Sequence, residues 1–149
     1  MSILSILNIA CMTRCDFSSS SSLSNSPKIG GIICHDTPNA GDHSVKAPLN
    51  IGLTEPTVAT YLPVYTLRNL ANGNTVRTTD PGRAMITGKW ADVGKFKGPI
   101  LRALAARAPY FHNGSAATLE EAIQFYEDRF NIGLTEREKA DLAAFLRAL

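Results

Sequence analysis

Hydrophobic positions repeat with a helical period only in the last third of the chain. Leu119, Ala122, Ile123, Tyr126 and Phe130 stand at i, i+3, i+4, i+7 and i+11, which is one apolar face of a helix. Thr118 and Glu121 precede them as T-x-x-E, a capping box that marks a helix start. A second box, Thr135 with Glu138, precedes Leu142, Phe145, Leu146 and Leu149 at i, i+3, i+4 and i+7. Two shorter helices are expected upstream. Asp80 would cap the first, with Pro81 at its opening position and Gly88 as its stop. Gly98-Pro99 would open the second, over Ile100–Ala106.

Residues 36–82 carry turn formers at short intervals: Asp36-Thr37-Pro38-Asn39, Ala47-Pro48, Glu55-Pro56, Asn72-Gly73-Asn74 and Asp80-Pro81-Gly82. This reads as long ordered loop, and so much loop in a compact domain wraps something or carries function. A small hairpin is expected between Val64–Leu67 and Thr75–Thr78, joined through Asn72-Gly73. No strongly periodic strand supplies a sheet, and there are no internal repeats. The expected class is therefore all-α with much irregular chain.

The pattern divides near residue 30. Residues 1–29 hold a short apolar stretch (Ile3, Leu4, Ile6, Leu7, Ile9) and the serine run Ser18–Ser22. The serines bury no apolar surface, so a disordered or divergent tail is expected over 1–29 and a folded domain over 30–149. The apolar stretch lacks the basic start and small-residue cleavage site of a secretory signal. The 149 residues suffice for one domain, and 44% hydrophobic with 19% charged residues excludes a highly charged disordered chain. No apolar run approaches the ~18–20 residues of a membrane span. A net charge of +2, with lysines and arginines scattered, gives no footprint for nucleic acid.

Three cysteines, all in the first 34 residues, do not make a disulfide scaffold. Cys34-His35 is the pair with chemistry. Covalent haem attachment uses C-x-x-C-H, where two thiols add to the haem vinyl groups and the adjacent histidine reaches the iron. The window here is Gly31-Ile32-Ile33-Cys34-His35, with glycine in place of the first thiol. From the motif alone, half a haem site and a chance Cys-His pair in a loop both stand. A zinc module is a further alternative, because Cys11, Cys15, Cys34 and His35 amount to four soft ligands. Adjacent Cys and His fit one tetrahedral ion awkwardly, and the serine run between offers no scaffold.

Further along, several segments act in combination: Thr37-Pro38-Asn39-Ala40-Gly41, Thr79-Asp80-Pro81-Gly82-Arg83, Phe96-Lys97-Gly98-Pro99-Ile100-Leu101-Arg102 and Ala108-Pro109-Tyr110-Phe111-His112-Asn113-Gly114. Together they resemble the C-terminal haem domain of bacterial dihaem cytochrome c peroxidases and the related MauG-like proteins, over about residues 34–149. The resemblance implies a cytochrome c-like haem domain with long ordered loops. It implies that Cys34 is the attachment cysteine and His35 the proximal iron ligand, so that haem c is held by a single thioether at most. It places Tyr126 where the peroxidases carry a distal methionine and MauG-like proteins a tyrosine; the other reading of Tyr126 is a core tyrosine bonded to backbone. It further implies a periplasmic location, hydrogen peroxide as substrate and a small cytochrome or cupredoxin as electron donor. With no second attachment pair in this chain, one-electron transfer is the expected role rather than peroxidase turnover alone. The alternative from another class is a non-catalytic remnant that holds no haem.

Other residues carry paired readings. His112 is a turn anchor or hydrogen-bonds at the haem edge. His43 binds a propionate or is plain surface. Trp90 stands at the haem edge or packs. Lys95, Lys97 and Arg102 face propionates or form a solvated basic patch. Met85 is expected to pack in the core.

Overall fold

In chain order the elements are a hairpin of β1 (Tyr65–Arg68) and β2 (Thr75–Thr78), a one-turn helix α1 (Ala84–Thr87), 3-10 turns at Trp90–Asp92 and Leu104–Ala106, and two longer helices, α2 (Leu119–Phe130) and α3 (Glu136–Ala148). They come from a computed structural model that describes residues 48–149. The tail over 1–29, Cys34, His35, His43 and the Cys11–Cys15 pair lie outside the described residues.

The hairpin forms one residue later in its first strand than the pattern suggests, pairing Tyr65 with Thr78 and Arg68 with Thr75. Its connection is built by asparagines. Asn69 donates its N–H to the Asn74 carbonyl at 2.8 Å and accepts from the Gly73 N–H at 2.8 Å. The Asn69 and Asn72 side chains each accept from the N–H two residues on, the local bond that makes asparagine a turn former. The base of the hairpin is tied down by three buried threonines. The Thr79 N–H and the hydroxyls of Thr78 and Thr79 all donate to the Thr54 carbonyl.

The first short helix begins later than Asp80 and Pro81 predict. Asp80 Oδ1 accepts from the Gly82 N–H at 2.7 Å, closing an Asx turn, and Gly82 sits at φ +59. That left-handed residue breaks the helical path, so α1 starts at Ala84. Gly88 ends it as expected, in the left-handed region with its N–H on the Ala84 carbonyl. Met85 does not enter a core: it is 76% exposed beside Ile86 at 88%. The element against which this single turn packs is the Trp90–Asp92 turn, too small to bury an apolar face. The expected helix over Ile100–Ala106 is reduced to the turn Leu104–Ala106, because Ala103 stands at φ +54. The Arg107 guanidinium donates to the carbonyls of Ile100 and Arg102 and holds the irregular segment together.

The two long helices start where their boxes place them. Thr135 accepts from the Glu138 N–H at 3.3 Å, and Glu138 accepts from the Thr135 N–H at 2.9 Å. The first box closes differently: Thr118 accepts from the Glu121 N–H, but the Glu121 carboxylate reaches the Ala117 N–H, one residue earlier. Between the helices, Asn131 turns left-handed. The Glu127 carboxylate accepts from the Gly133 and Leu134 N–H groups there. The helices pack through Ile123, Leu142 and Ala143, backed by Leu134 and Leu146. A second cluster joins Tyr110, Ala116 and Leu119. Among the described residues no large side chain is completely enclosed. Beyond these contacts the apolar faces border a hollow.

Candidate functional site

The hollow is a cavity of about 640 Å³, within the ~300–1,000 Å³ of pockets that take drug- or cofactor-sized ligands. All five residues of the predicted α2 stripe, Leu119, Ala122, Ile123, Tyr126 and Phe130, line it. Leu142 and Leu146 of α3 add to the same wall. The opposite side comes from irregular chain: Leu49 and Ile51, Phe96 through Leu101, and Pro109 through His112. Leu49 and Phe96 exchange two backbone hydrogen bonds, at 2.8 and 2.9 Å, and Asn50 donates to the Val93 carbonyl. These bonds strap residues 48–52 beside the segment that carries Phe96.

The charged residues in the lining are basic. Lys97 and Arg107 stand there with His112, and no aspartate or glutamate lines the cavity among the described residues. An apolar chamber with cations and no acids at its wall suits a large apolar body carrying an anionic edge. Of the three cations singled out in the sequence, Lys97 is the one so placed. Lys95 instead pairs with Asp92 at 3.4 Å. The Asp92 carboxyl also accepts from the Thr87 hydroxyl, the main reason it is held below the usual carboxylate range. Arg102 is absent from the lining and Arg107 takes the place expected of it. Trp90 does not line the cavity either, since its short turn packs against α1.

One wall is aromatic. The Phe111 ring meets those of Phe125 and Tyr126 with centroids 5.0 and 6.0 Å apart, and Tyr126 stacks on Phe130 at 6.0 Å. Burial pushes the Tyr126 phenol up to about 12, so its hydroxyl stays protonated at neutral pH. That hydroxyl has no hydrogen-bond partner among the described residues.

The Tyr110–Asn113 segment is held at both ends. Tyr110 donates its N–H to the Ala116 carbonyl. Asn113 donates to the Leu53 carbonyl at 3.0 Å, accepts from the Ser115 N–H at 3.1 Å, and receives the Tyr61 hydroxyl on its own carbonyl at 2.7 Å. Asn113, not His112, is thus the anchor of this turn. His112 stacks on Phe96 with centroids 3.9 Å apart and planes 19° from parallel. Its Nε2 lies 3.7 Å from Asp80 Oδ2. Burial holds the imidazole below its ordinary 6.5, with the Asp80 carboxylate pulling the other way.

Cys34 and His35, the tether and iron ligand of the sequence reading, lie outside the described residues, as do Cys11 and Cys15. Among the described residues no three of His, Cys, Asp and Glu gather as a metal site, and no helix is long and apolar enough to cross a membrane. Sequence reasoning did not single out Arg107 or the anchoring role of Asn113. Both act through contacts far along the chain or on backbone carbonyls, which leave no local pattern.

No family model matches the chain, and no solved structure does. Curated proteins do. Cytochrome-c peroxidase IdrP1 of Denitromonas iodatirespirans is 34% identical over 144 residues, covering 83% of this chain and 38% of that protein. Cytochrome c551 peroxidase of Nitrosomonas europaea is 32% identical over 121 residues, covering 80% and 30%. Cytochrome c peroxidase Ccp of Escherichia coli is 35% identical over 80 residues, covering 52% and 17%. The chain thus spans between about a sixth and little more than a third of the length of these curated relatives. With identities of this size over four-fifths of its length, the chain belongs to the bacterial cytochrome c peroxidase family.

Proposed function

We propose that residues 30–149 form a cytochrome c-like domain that holds one haem c and passes single electrons, contributing to hydrogen peroxide reduction as the peroxidases it resembles do. The observation that carries this reading is the cavity: about 640 Å³, with the apolar stripe of α2 turned into it and, among the described residues, cations but no acids at its wall. Haem supplies, when bound, a one-electron couple and an iron that reacts with peroxide. The chain's own residues do the rest. The α2 and α3 stripes exclude water and lower the local dielectric. Lys97 and Arg107 offer positive charge to the acidic edge of the ligand. Cys34 would be the single covalent tether and His35 would hold the iron, with the Tyr126 phenol as the further candidate to approach it. A small cytochrome or cupredoxin is the proposed donor, and the periplasm the proposed compartment.

The test is expression of the full chain behind a foreign signal peptide with a cytochrome maturation system. A Soret band that survives acid–acetone extraction, with one haem per chain, is the expected result. Gly31→Cys should raise the covalent yield by restoring the second thiol. A colourless product with sharp cooperative unfolding would refute the reading. A colourless, molten product supports the remnant that holds no haem, and stoichiometric zinc supports the Cys/His module.

A further inference from the structure

We propose that His112 couples proton uptake to electron uptake in the cavity, its imidazole taking a proton from solvent and pairing with Asp80 whenever the cavity gains an electron. This rests on the haem reading above, and three observations carry it. His112 lies in the cavity wall, so a change of charge inside acts on its ring at short range. Its side chain is 28% exposed and that of Asp80 42%, so protons reach the pair from water. The separation of 3.7 Å is too long for a hydrogen bond and short enough for an ion pair once the ring is charged.

The setting is sparse in other charges. Asp80 is the charged group that acts on the imidazole. On the segment stacked against it, Lys95 is occupied by Asp92 while Lys97 lines the cavity, and Arg107 lines it from the turn before Tyr110. Burial disfavours the charged ring, and a new negative charge nearby favours the imidazolium. The balance is one electron from an external one-electron donor and one proton from water. The electron enters the cavity, the proton adds to the free ring nitrogen, and the net charge is unchanged. Histidine is the side chain whose charge changes in this pH range. Structure alone does not require this residue, because Asn113 and Tyr110 already anchor the turn.

The experiment is a redox titration of the haem-loaded full chain between pH 5 and 8, with NMR of the His112 ring in both oxidation states. The electron affinity should fall with rising pH through one window, by at most tenfold per pH unit, which is ~59 mV for one electron. Asp80→Asn should move that window to lower pH, because the group that raises the imidazole's proton affinity is gone. His112→Gln should flatten it. If His112→Gln does not load haem, Asp80→Asn and the NMR decide alone. A coloured protein whose pH dependence is the same in all variants, or whose His112 titrates alike in both oxidation states, overturns the coupling and leaves the haem reading intact. A colourless chain overturns both.

Discussion

Gly82→Ala tests how the cavity wall is assembled. Gly82 sits at φ +59, and a Cβ there would lie 2.7 Å from the Lys95 carbonyl oxygen and 3.0 Å from two carbons of the Phe96 ring. The two segments are bound on either side, by Arg83 N–H to the Lys95 carbonyl at 2.9 Å and Gly94 N–H to the Pro81 carbonyl at 3.0 Å. The added methyl therefore meets backbone that cannot swing away. Left-handed geometry costs an L-residue about 1–2 kcal/mol, and overpacking adds roughly 1–3 kcal/mol. Gly73→Ala is the control: φ is +78 and nothing lies within 4 Å of the added carbon, so the first cost applies alone. The two variants should differ by roughly 1–3 kcal/mol, or on the order of 5–20 °C in Tm for a domain of this size. Urea denaturation of the haem-loaded chain, read at equal m, measures the difference. Equal midpoints for the two variants would refute the close approach, and with it the contact that holds Phe96 against His112.

Thr135→Ala should lower stability by about 1 kcal/mol through loss of the α3 cap, read by urea denaturation. Glu138 is held below its ordinary value by the Thr135 N–H and hydroxyl, so its stabilisation is present above the unfolded value and lost as pH falls through the folded one. Thr135→Ala removes the hydroxyl but keeps the N–H, so it should make that acid limb shallower without abolishing it. Leu142→Ala, at a residue 4% exposed between Ile123 and the cavity, should cost about 2–5 kcal/mol in the same assay. Tyr126→Phe should change the visible spectrum of the loaded chain if the phenol approaches iron. In the haem-free chain it should remove a loss of stability between pH 10, where an ordinary phenol ionises, and about 12, where this one does.

What the sequence disclosed follows the range of the interactions. The Thr135–Glu138 box and the Asn72-Gly73 hairpin were legible because their bonding partners lie within a few residues. The start of α1 was not, because Asp80 before Pro81 serves a helix cap and an Asx turn equally well until Gly82 turns left-handed. A helix is expected over Ile100–Ala106, but Ile100 and Leu101 line the cavity from irregular chain and Leu104 from a single 3-10 turn. Their apolar character reports burial, not period. Met85 shows the converse, since burial requires a facing element and a one-turn helix has little to offer. Asn113 and Arg107 escaped for want of local signal: Asn113 bonds Leu53, sixty residues away in sequence.

The same hollow that marks the site also sets the domain's stability. Apolar faces of α2 and α3 that line a cavity of about 640 Å³ contribute less burial than faces packed on side chains, so folding leans on whatever fills the space. A ligand that binds only the folded chain stabilises it by RT ln(1 + [L]/Kd), about 4.1 kcal/mol at a thousandfold excess over Kd. A covalent tether replaces free concentration with an effective one, in the millimolar range for a short flexible link. On the proposed reading, one thioether at Cys34 retains nearly all of that gain, and a second at position 31 chiefly narrows the ligand's orientation. Gly31→Cys should accordingly raise the yield of attachment more than the unfolding midpoint of molecules already loaded. An equal or larger rise in the midpoint would show instead that the second tether, and not the filled cavity, dominates stability.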